Sequence, residues 1–158
     1  MFRFSLLFLV LFLLIGCNSG SGIQPEEKQH PVEVIINSSF ENCYKVTADI
    51  LTEYNFTIDN SDNILGIIQT GFNKYKAGSK GFLYGALTGM EDFRMQINAK
   101  ISKIDNSSCQ LSLLGKMKYK ESDNIFKSSE HVETIKEGSD SYKQLEKIAL
   151  EIKKRSED

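Results

Sequence analysis

Residues 93–113 read FRMQINAKISKIDNSSCQLSL, and the periodicity of this stretch decides the fold. Apolar side chains occupy alternate positions before and after a polar turn at 105–108: Phe93, Met95, Ile97, Ala99 and Ile101, then Cys109, Leu111 and Leu113. Successive side chains of a β-strand point to opposite faces, so a two-residue period predicts strands with one buried and one solvated face. The stretch is therefore predicted to form an antiparallel hairpin whose second strand continues to about Tyr119.

The chain before this hairpin predicts a strand, a helix and a second hairpin. Ser38 or Ser39 can cap a helix whose apolar side chains recur every three or four residues. The predicted elements are a strand at 32–36, a helix at 40–54, a strand beginning at 56, a turn at 60–63 and a return strand at 64–72.

The chain after the hairpin predicts a weaker strand at 125–135 and a final helix. Ser141 and Gln144 match a capping box, in which each side chain satisfies a free backbone amide near the other. After these two residues in the sequence, four apolar side chains fall on one helical face: Leu145, Ile148, Ala149 and Ile152. The element order predicts a single α+β domain over residues 31–155, an antiparallel sheet of about five or six strands with two helices on one face.

Residues 74–89, KYKAGSKGFLYGALTG, have neither a helical nor a strand period and are predicted to form a long loop. Loops of this length inside compact domains are uncommon and often functional. Two interpretations are open: a poorly packed insertion, or an aromatic contact loop for a partner or for the bilayer surface. The contact residues of the second interpretation are Tyr75, Phe82, Leu83, Tyr84 and Leu87.

Composition and motifs argue against several classes of function. The formal net charge of −2 gives no basic excess for nucleic acid, and no polybasic run points to anionic lipid. The histidines, His30 and His131, have no partner at metal-ligand spacing, so no metal or other cofactor is expected. No serine lies in a GxSxG turn. A non-catalytic protein is therefore expected, whereas a deep pocket joining His131 to a carboxylate would favour an enzyme.

Cys43 and Cys109 both fall on predicted core faces, one near the start of a helix and one near the start of a strand. Two interpretations are open for this pair. In an oxidising compartment they form a disulfide that closes a loop of about 66 residues. Otherwise they are two small buried apolar side chains that never meet. The chain has no CxxC motif, so a thiol-exchange catalyst is not expected.

The N-terminus carries the pattern of an export signal. Arg3 precedes an apolar run at 4–14, which is shorter than the roughly 20 residues that span a bilayer. The run ends in Leu14-Ile15-Gly16-Cys17, which resembles the lipobox of bacterial lipoproteins. This resemblance implies that the signal peptide 1–16 is removed and that fatty acids such as palmitate on Cys17 anchor the protein to a membrane.

Residues 17–30 are polar, contain Gly, Ser and Pro, and are predicted to form a flexible tether with a reach of about 20 Å. Position 18 is Asn rather than the Asp that retains enterobacterial lipoproteins in the inner membrane. The resemblance therefore implies a protein of the cell envelope, at the outer membrane and facing the periplasm in preference to the inner membrane.

The folded region resembles the helix-grip domains of the lipoprotein subunits of the outer-membrane β-barrel assembly machinery. The likeness is carried by residues 40–70: an amphipathic helix, an aromatic-started strand at Tyr54-Asn55-Phe56, and the stretch Asp62-Asn63-Ile64-Leu65-Gly66. This chain has one such domain where that family has two. A shared fold does not by itself transfer a function.

Two functions are expected from these features. The first is a non-catalytic envelope lipoprotein, an assembly or accessory module that binds another envelope protein through a sheet edge or through residues 75–87. The alternative is a carrier of a small apolar ligand such as a lipid, held between helix and sheet by Ile50, Phe56, Met95 and Leu113. A packed core would use the same four residues.

Overall fold

The computed structural model describes residues 29–74, 90–124 and 127–158. These residues form the predicted α+β fold, an open antiparallel sheet of seven strands with two helices on one face. The helices are α1 (Phe40–Glu53) and α2 (Asp140–Glu157). The strands are β1 (Val32–Ile36), β2 (Ile58–Asp62), β3 (Ile67–Thr70), β4 (Asn73–Lys74), β5 (Met90–Lys103), β6 (Cys109–Asn124) and β7 (Lys127–Thr134).

The sheet is built around the predicted hairpin of β5 and β6, whose strands are 14 and 16 residues long. The strand order is β1-β6-β5-β3-β2, and β4 and β7 pair with the remaining lengths of β5 and β6. Consequently β1 and β7 follow one another along the outer edge of β6, and β3 and β4 do so along β5.

The core lies on one face of the sheet because β5 and β6 present matching alternate residues to the helices. The register pairs Ala99 with Leu113 and Ile101 with Leu111, and all four side chains are buried. The helices complete the core with fully buried side chains: Cys43, Ile50 and Leu51 from α1, and Leu145, Ile148, Ala149 and Ile152 from α2. Each fully buried Leu or Ile side chain stabilises the fold by roughly 1.5–3 kcal/mol.

The first hairpin turns later than the sequence predicts, because side chain–backbone hydrogen bonds decide its position. The predicted turn at 60–63 is wrong, since β2 continues through Asp62. The Asp62 carboxylate accepts hydrogen bonds from the N–H groups of Ile64 (2.8 Å) and Leu65 (2.9 Å). Gly66 then adopts a left-handed φ of 66°, which glycine tolerates at a turn.

The predicted return strand at 64–72 is wrong as a single strand, because it is divided into β3 and β4. Thr70 interrupts the ladder there: its hydroxyl accepts a hydrogen bond from the Ile97 N–H (2.9 Å) in place of a backbone carbonyl. Pairing with β5 resumes at Asn73 opposite Met95, displaced by one residue. This division explains why the sheet has more strands than predicted.

The N-terminus of α2 also differs from the prediction. Its cap is Ser139, whose hydroxyl accepts a hydrogen bond from the Tyr142 N–H (3.1 Å), so the predicted capping box of Ser141 and Gln144 is wrong. Tyr142 occupies the position where a capping box has Glu or Gln. The apolar face predicted for this helix is confirmed by its burial.

Candidate functional site

Cys43 of α1 and Cys109 of β6 form a disulfide, which decides between the two interpretations of this pair. The bridge joins the first turn of α1 to the first residue of β6 across 66 positions of sequence. Both cysteines are fully buried. The disulfide is therefore structural, because neither sulfur is open to attack by a second thiol.

Two groups of predicted site residues lie outside the described residues. One group is Cys17 with the signal peptide and most of the tether. The other is the predicted contact loop: Tyr75, Phe82, Leu83, Tyr84 and Leu87. The flanking residues are described, and both belong to the same end of the sheet, where Lys74 ends β4 opposite Arg94 and Met90 begins β5.

A pocket of about 280 Å³ opens between the end of α1, the start of α2, and the strands β4 and β5. Phe56 and Met95 supply its apolar lining, and their side chains are 9 % and 0 % exposed. The other lining residues are Tyr54, Asn55, Asn73, Lys74 and Gln144. Of the four residues predicted to hold an apolar ligand, Phe56 and Met95 reach this pocket, whereas Ile50 and Leu113 are fully buried and do not line it.

Tyr54 is held in the pocket wall by contacts with α2. Its hydroxyl donates a 2.6 Å hydrogen bond to the Glu151 carboxylate, and this bond, assisted by partial burial, raises the pKa of Tyr54 to about 12. The Arg155 guanidinium contacts Glu151 and donates a 2.7 Å hydrogen bond to Glu53, which lowers the pKa of the Glu53 carboxyl. The network joins the two helices and fixes this wall of the pocket.

His131 lies on β7 in an aromatic row with residues of the neighbouring strands. Its ring centroid is 5.5 Å from that of Tyr119, which is 6.0 Å from that of Phe93. Ser129 Oγ and Glu121 Oε2 lie 2.9 and 3.5 Å from the histidine, and both contacts reach Nε2. A Ser-His-acid relay needs the hydroxyl and the carboxylate on different ring nitrogens, so this group is not arranged for such a relay.

The polar groups of the pocket are amides, a phenol and an amine, with no carboxylate among the lining residues. Across the described ranges, no group of three or more His, Cys, Asp or Glu side chains is placed to hold a metal ion. In that same part of the chain, no helix is long and apolar enough to cross a membrane.

The face of the sheet opposite the helices carries a cluster of cations. The register aligns Lys74, Arg94 and Lys118 in one row across β4, β5 and β6. Lys116 and Lys120 lie on the same face, because they are two positions before and after Lys118 on β6. These five residues form the outer cationic face. Like charges directly opposite one another on adjacent strands destabilise a sheet, so this row opposes folding.

Asp92 lies among these cations at a bulge in β5. Its carboxylate accepts a 2.8 Å hydrogen bond from Arg94, and Arg94 first, then Lys74 and Lys120, lower the pKa of the carboxyl. The backbone of Asp92 has a left-handed φ of 55°, which is unfavourable for a non-glycine residue. The bulge thus keeps an acid among the cations at some cost in backbone strain.

Glu130 of β7 is another acid on this face, and its carboxylate lies 2.7 Å from the Lys118 amine. The register also places Glu91 of β5 opposite Lys120. Lys74, Lys116 and Lys120 form no ion pair within the residues that the structure describes. The five cations of the outer cationic face thus stand beside three acids, which leaves a local excess of positive charge, although the whole chain has a net charge of −2.

The far end of the sheet exposes aliphatic side chains. In the turn between β2 and β3, Ile64 is 88 % exposed and Leu65 is 62 % exposed. The neighbouring turn between β5 and β6 exposes Ile104, at 51 %. The two turns are adjacent because β3 pairs with β5 and the Gly66 carbonyl accepts a hydrogen bond from the Ile101 N–H. Ile64, Leu65 and Ile104 are called the hairpin-end patch.

The geometry defines the chain as an α+β protein with an open antiparallel sheet, a buried disulfide, a small pocket and two exposed surfaces of opposite character. A scan against models of known protein families finds no match. A search of curated proteins finds no similar sequence.

Proposed function

We propose that this chain is a membrane-anchored, non-catalytic lipoprotein of the bacterial cell envelope whose α+β domain binds another envelope protein. Its anchor is the lipid on Cys17, and its location is the outer membrane, facing the periplasm. The buried disulfide supports export, because disulfides persist in oxidising compartments and are rare in the cytosol.

The observation that carries the binding proposal is the hairpin-end patch. Its three side chains lie on turns and are exposed by half or more, so the core of the domain does not require them. Adjacent exposed aliphatic side chains often mark contact surfaces. The buried centre of a protein–protein interface is more apolar than the remaining surface, which suits these residues.

Site-specific cross-linking in cells tests the proposal. A photoreactive amino acid in place of Ile64 is expected to trap one defined envelope protein, whereas the same group in place of the exposed Lys147 on α2 is not. If only lipid and abundant porins are recovered from position 64, the proposed partner binding is wrong.

A variant of the patch supplies the matching loss of function. Ile64→Ser/Leu65→Ser is expected to abolish the cross-link from a probe at Ile104. Its stability should change by no more than about 0.5 kcal/mol, since both replaced side chains are exposed. Leu150→Ser is the matched control, because Leu150 is 61 % exposed on α2. This control should retain the cross-link.

The pocket favours a second candidate function, that of a small-ligand carrier. Its volume of about 280 Å³ is just below the usual range for ligand sites, roughly 300–1,000 Å³, so it suits a small molecule. Phe56 and Met95 suit an apolar ring or short chain, and the amides and Lys74 at the rim suit a polar or anionic end.

Native mass spectrometry of the purified protein tests the carrier function. A carrier is expected to retain a copurified small molecule, and Gln144→Trp, which fills the pocket rim, should remove it. Lys147→Trp is the control, because position 147 is exposed on the same helix and does not line the pocket. A protein that carries no ligand before and after the Gln144→Trp change is not a carrier.

A further inference from the structure

The outer cationic face has a repulsion between like charges that its own ion pairs offset only in part. Three cations stand side by side across adjacent strands, where each like-charged pair is unfavourable. Three groups relieve part of the repulsion: Asp92, held at a strained φ, Glu130 on β7, and the Phe72 ring, whose centroid lies 5.6 Å from the Lys118 amine. Residues that oppose stability in this way are common at functional surfaces.

We propose that the outer cationic face lies against a bilayer surface that contains anionic phospholipid, so that the domain is oriented with its helices away from the membrane. The proposal rests on the lipid anchor of the proposed function, since the tether predicted at residues 17–30 has an average reach of about 20 Å. It adds an electrostatic contact to an anchor that otherwise leaves the orientation of the domain free.

The arrangement of the cations favours a charged surface over a single anion. The five side chains are spread over three strands, with about 4.8 Å between strands and about 6.6 Å between alternate residues. The described pocket opens on the helix side of the sheet, and of the five cations it is lined by Lys74 alone. A planar array of positive charge is complementary to many phosphates at once, and juxtamembrane cations are attracted to anionic leaflets in this way.

The composition of the face also favours lipid over a protein partner. Protein interfaces have apolar centres from which charged residues are depleted. Here the centre of the face is Arg94 with Lys118, each 28–40 % exposed and each paired with a carboxylate. The outer cationic face therefore suits anionic lipid better than a protein. An acidic protein is the alternative occupant, and the experiment below is designed to reveal it.

Lysine labelling of the lipidated full chain in vesicles tests this orientation. The protein is inserted through its own lipid into vesicles of phosphatidylcholine alone, or of phosphatidylcholine and phosphatidylglycerol in equal parts. Trace acetylation followed by mass spectrometry measures how accessible each lysine is. Labelling of Lys74, Lys116 and Lys120 is expected to fall at least about threefold on the anionic vesicles and to recover at high salt. Labelling of Lys143 on α2 should stay constant.

Charge-reversal variants separate the proposed contact from a general effect of charge. Lys116→Glu/Lys120→Glu is expected to abolish the protection of Lys74 on anionic vesicles. Lys147→Glu/Lys154→Glu makes the same change in net charge on α2 and should keep that protection. Circular dichroism and an intact disulfide show that each variant is folded.

The outcomes distinguish this inference from the function on which it rests. Equal labelling of Lys74, Lys116 and Lys120 on both vesicle types, with the protein still bound to both, overturns the orientation and leaves the anchor intact. Protection that appears only after an acidic envelope protein is added overturns it in favour of a protein partner. A chain that carries no lipid and does not bind either vesicle overturns both proposals.

Discussion

The Cys43→Ala/Cys109→Ala double variant is expected to unfold in oxidising buffer with a free energy about 4 kcal/mol below that of the unchanged protein. The disulfide closes a loop of 66 residues, and the chain-entropy model assigns about 4 kcal/mol to the restriction that such a loop imposes on the unfolded chain. Both sulfurs are buried, so their replacement by alanine also leaves a small cavity, which adds to the loss. Urea denaturation followed by circular dichroism measures the difference.

The single variants are the control for this prediction. Cys43→Ala alone already opens the loop, so the single and double variants should agree within about 1 kcal/mol rather than add. In a strong reductant the disulfide of the unfolded wild-type chain is reduced. The difference in free energy of unfolding between the wild type and the double variant should then shrink. A double variant as stable as the unchanged protein in oxidising buffer would contradict the role of the bridge.

Gly66→Ala is expected to lower the free energy of unfolding by about 3 kcal/mol. Gly66 has a φ of 66°, which is strained for alanine, and an added Cβ would overlap the backbone carbonyl oxygen of Ile101. The neighbouring strand cannot yield as a side chain would, because Ile101 also donates a hydrogen bond to the Gly66 carbonyl (2.7 Å). Thermal or urea unfolding measures the loss.

Gly138→Ala separates the two causes of this loss. Gly138 has a similar φ of 76°, but nothing lies within 4 Å of its added Cβ. It therefore carries the backbone strain without the overlap, and the expected cost is about 1 kcal/mol. Equal losses at the two glycines would show that the close approach of β3 and β5 at Gly66 contributes nothing.

The parts of the fold that follow from periodicity were predictable from the sequence. The alternation in 93–113 predicts the β5–β6 hairpin and its buried face, and the three- and four-residue spacing predicts both helices. In a strand every second side chain is buried, and in a helix every third or fourth. Apolar residues therefore recur at these spacings in the sequence.

Element boundaries were less predictable, because single side chain–backbone hydrogen bonds set them. Asp62 moves the first turn, Thr70 divides the return strand, and Ser139 caps α2 in preference to Ser141. Each of these segments contains several polar side chains that could form the cap or accept the turn hydrogen bond. Which of them does so is decided only by the packed structure. The predictions of the first turn and of the α2 cap therefore missed by a few residues, whereas Ser39, one of the two caps predicted for α1, is confirmed.

The outer cationic face was not predictable, because it depends on the order and register of the strands. Sequence periodicity does not reveal that order. KMKYK at 116–120 has lysine at every second position, which is not a continuous polybasic run but places three cations on one face of a strand. The row with Arg94 and Lys74 arises only from the register of β4, β5 and β6. The pairing of Cys43 with Cys109 was likewise one of two open interpretations until the helix and strand were packed together.

The position of the disulfide has a mechanical consequence for a domain held by its N-terminus. A pull on the tether reaches β1 first, because His30 and Pro31 lead directly into Val32 at the sheet edge. Its five pairs with β6 would then break one after another. Peeling from the N-terminus is expected to stop at Cys43, because the disulfide to Cys109 passes the force directly into β6.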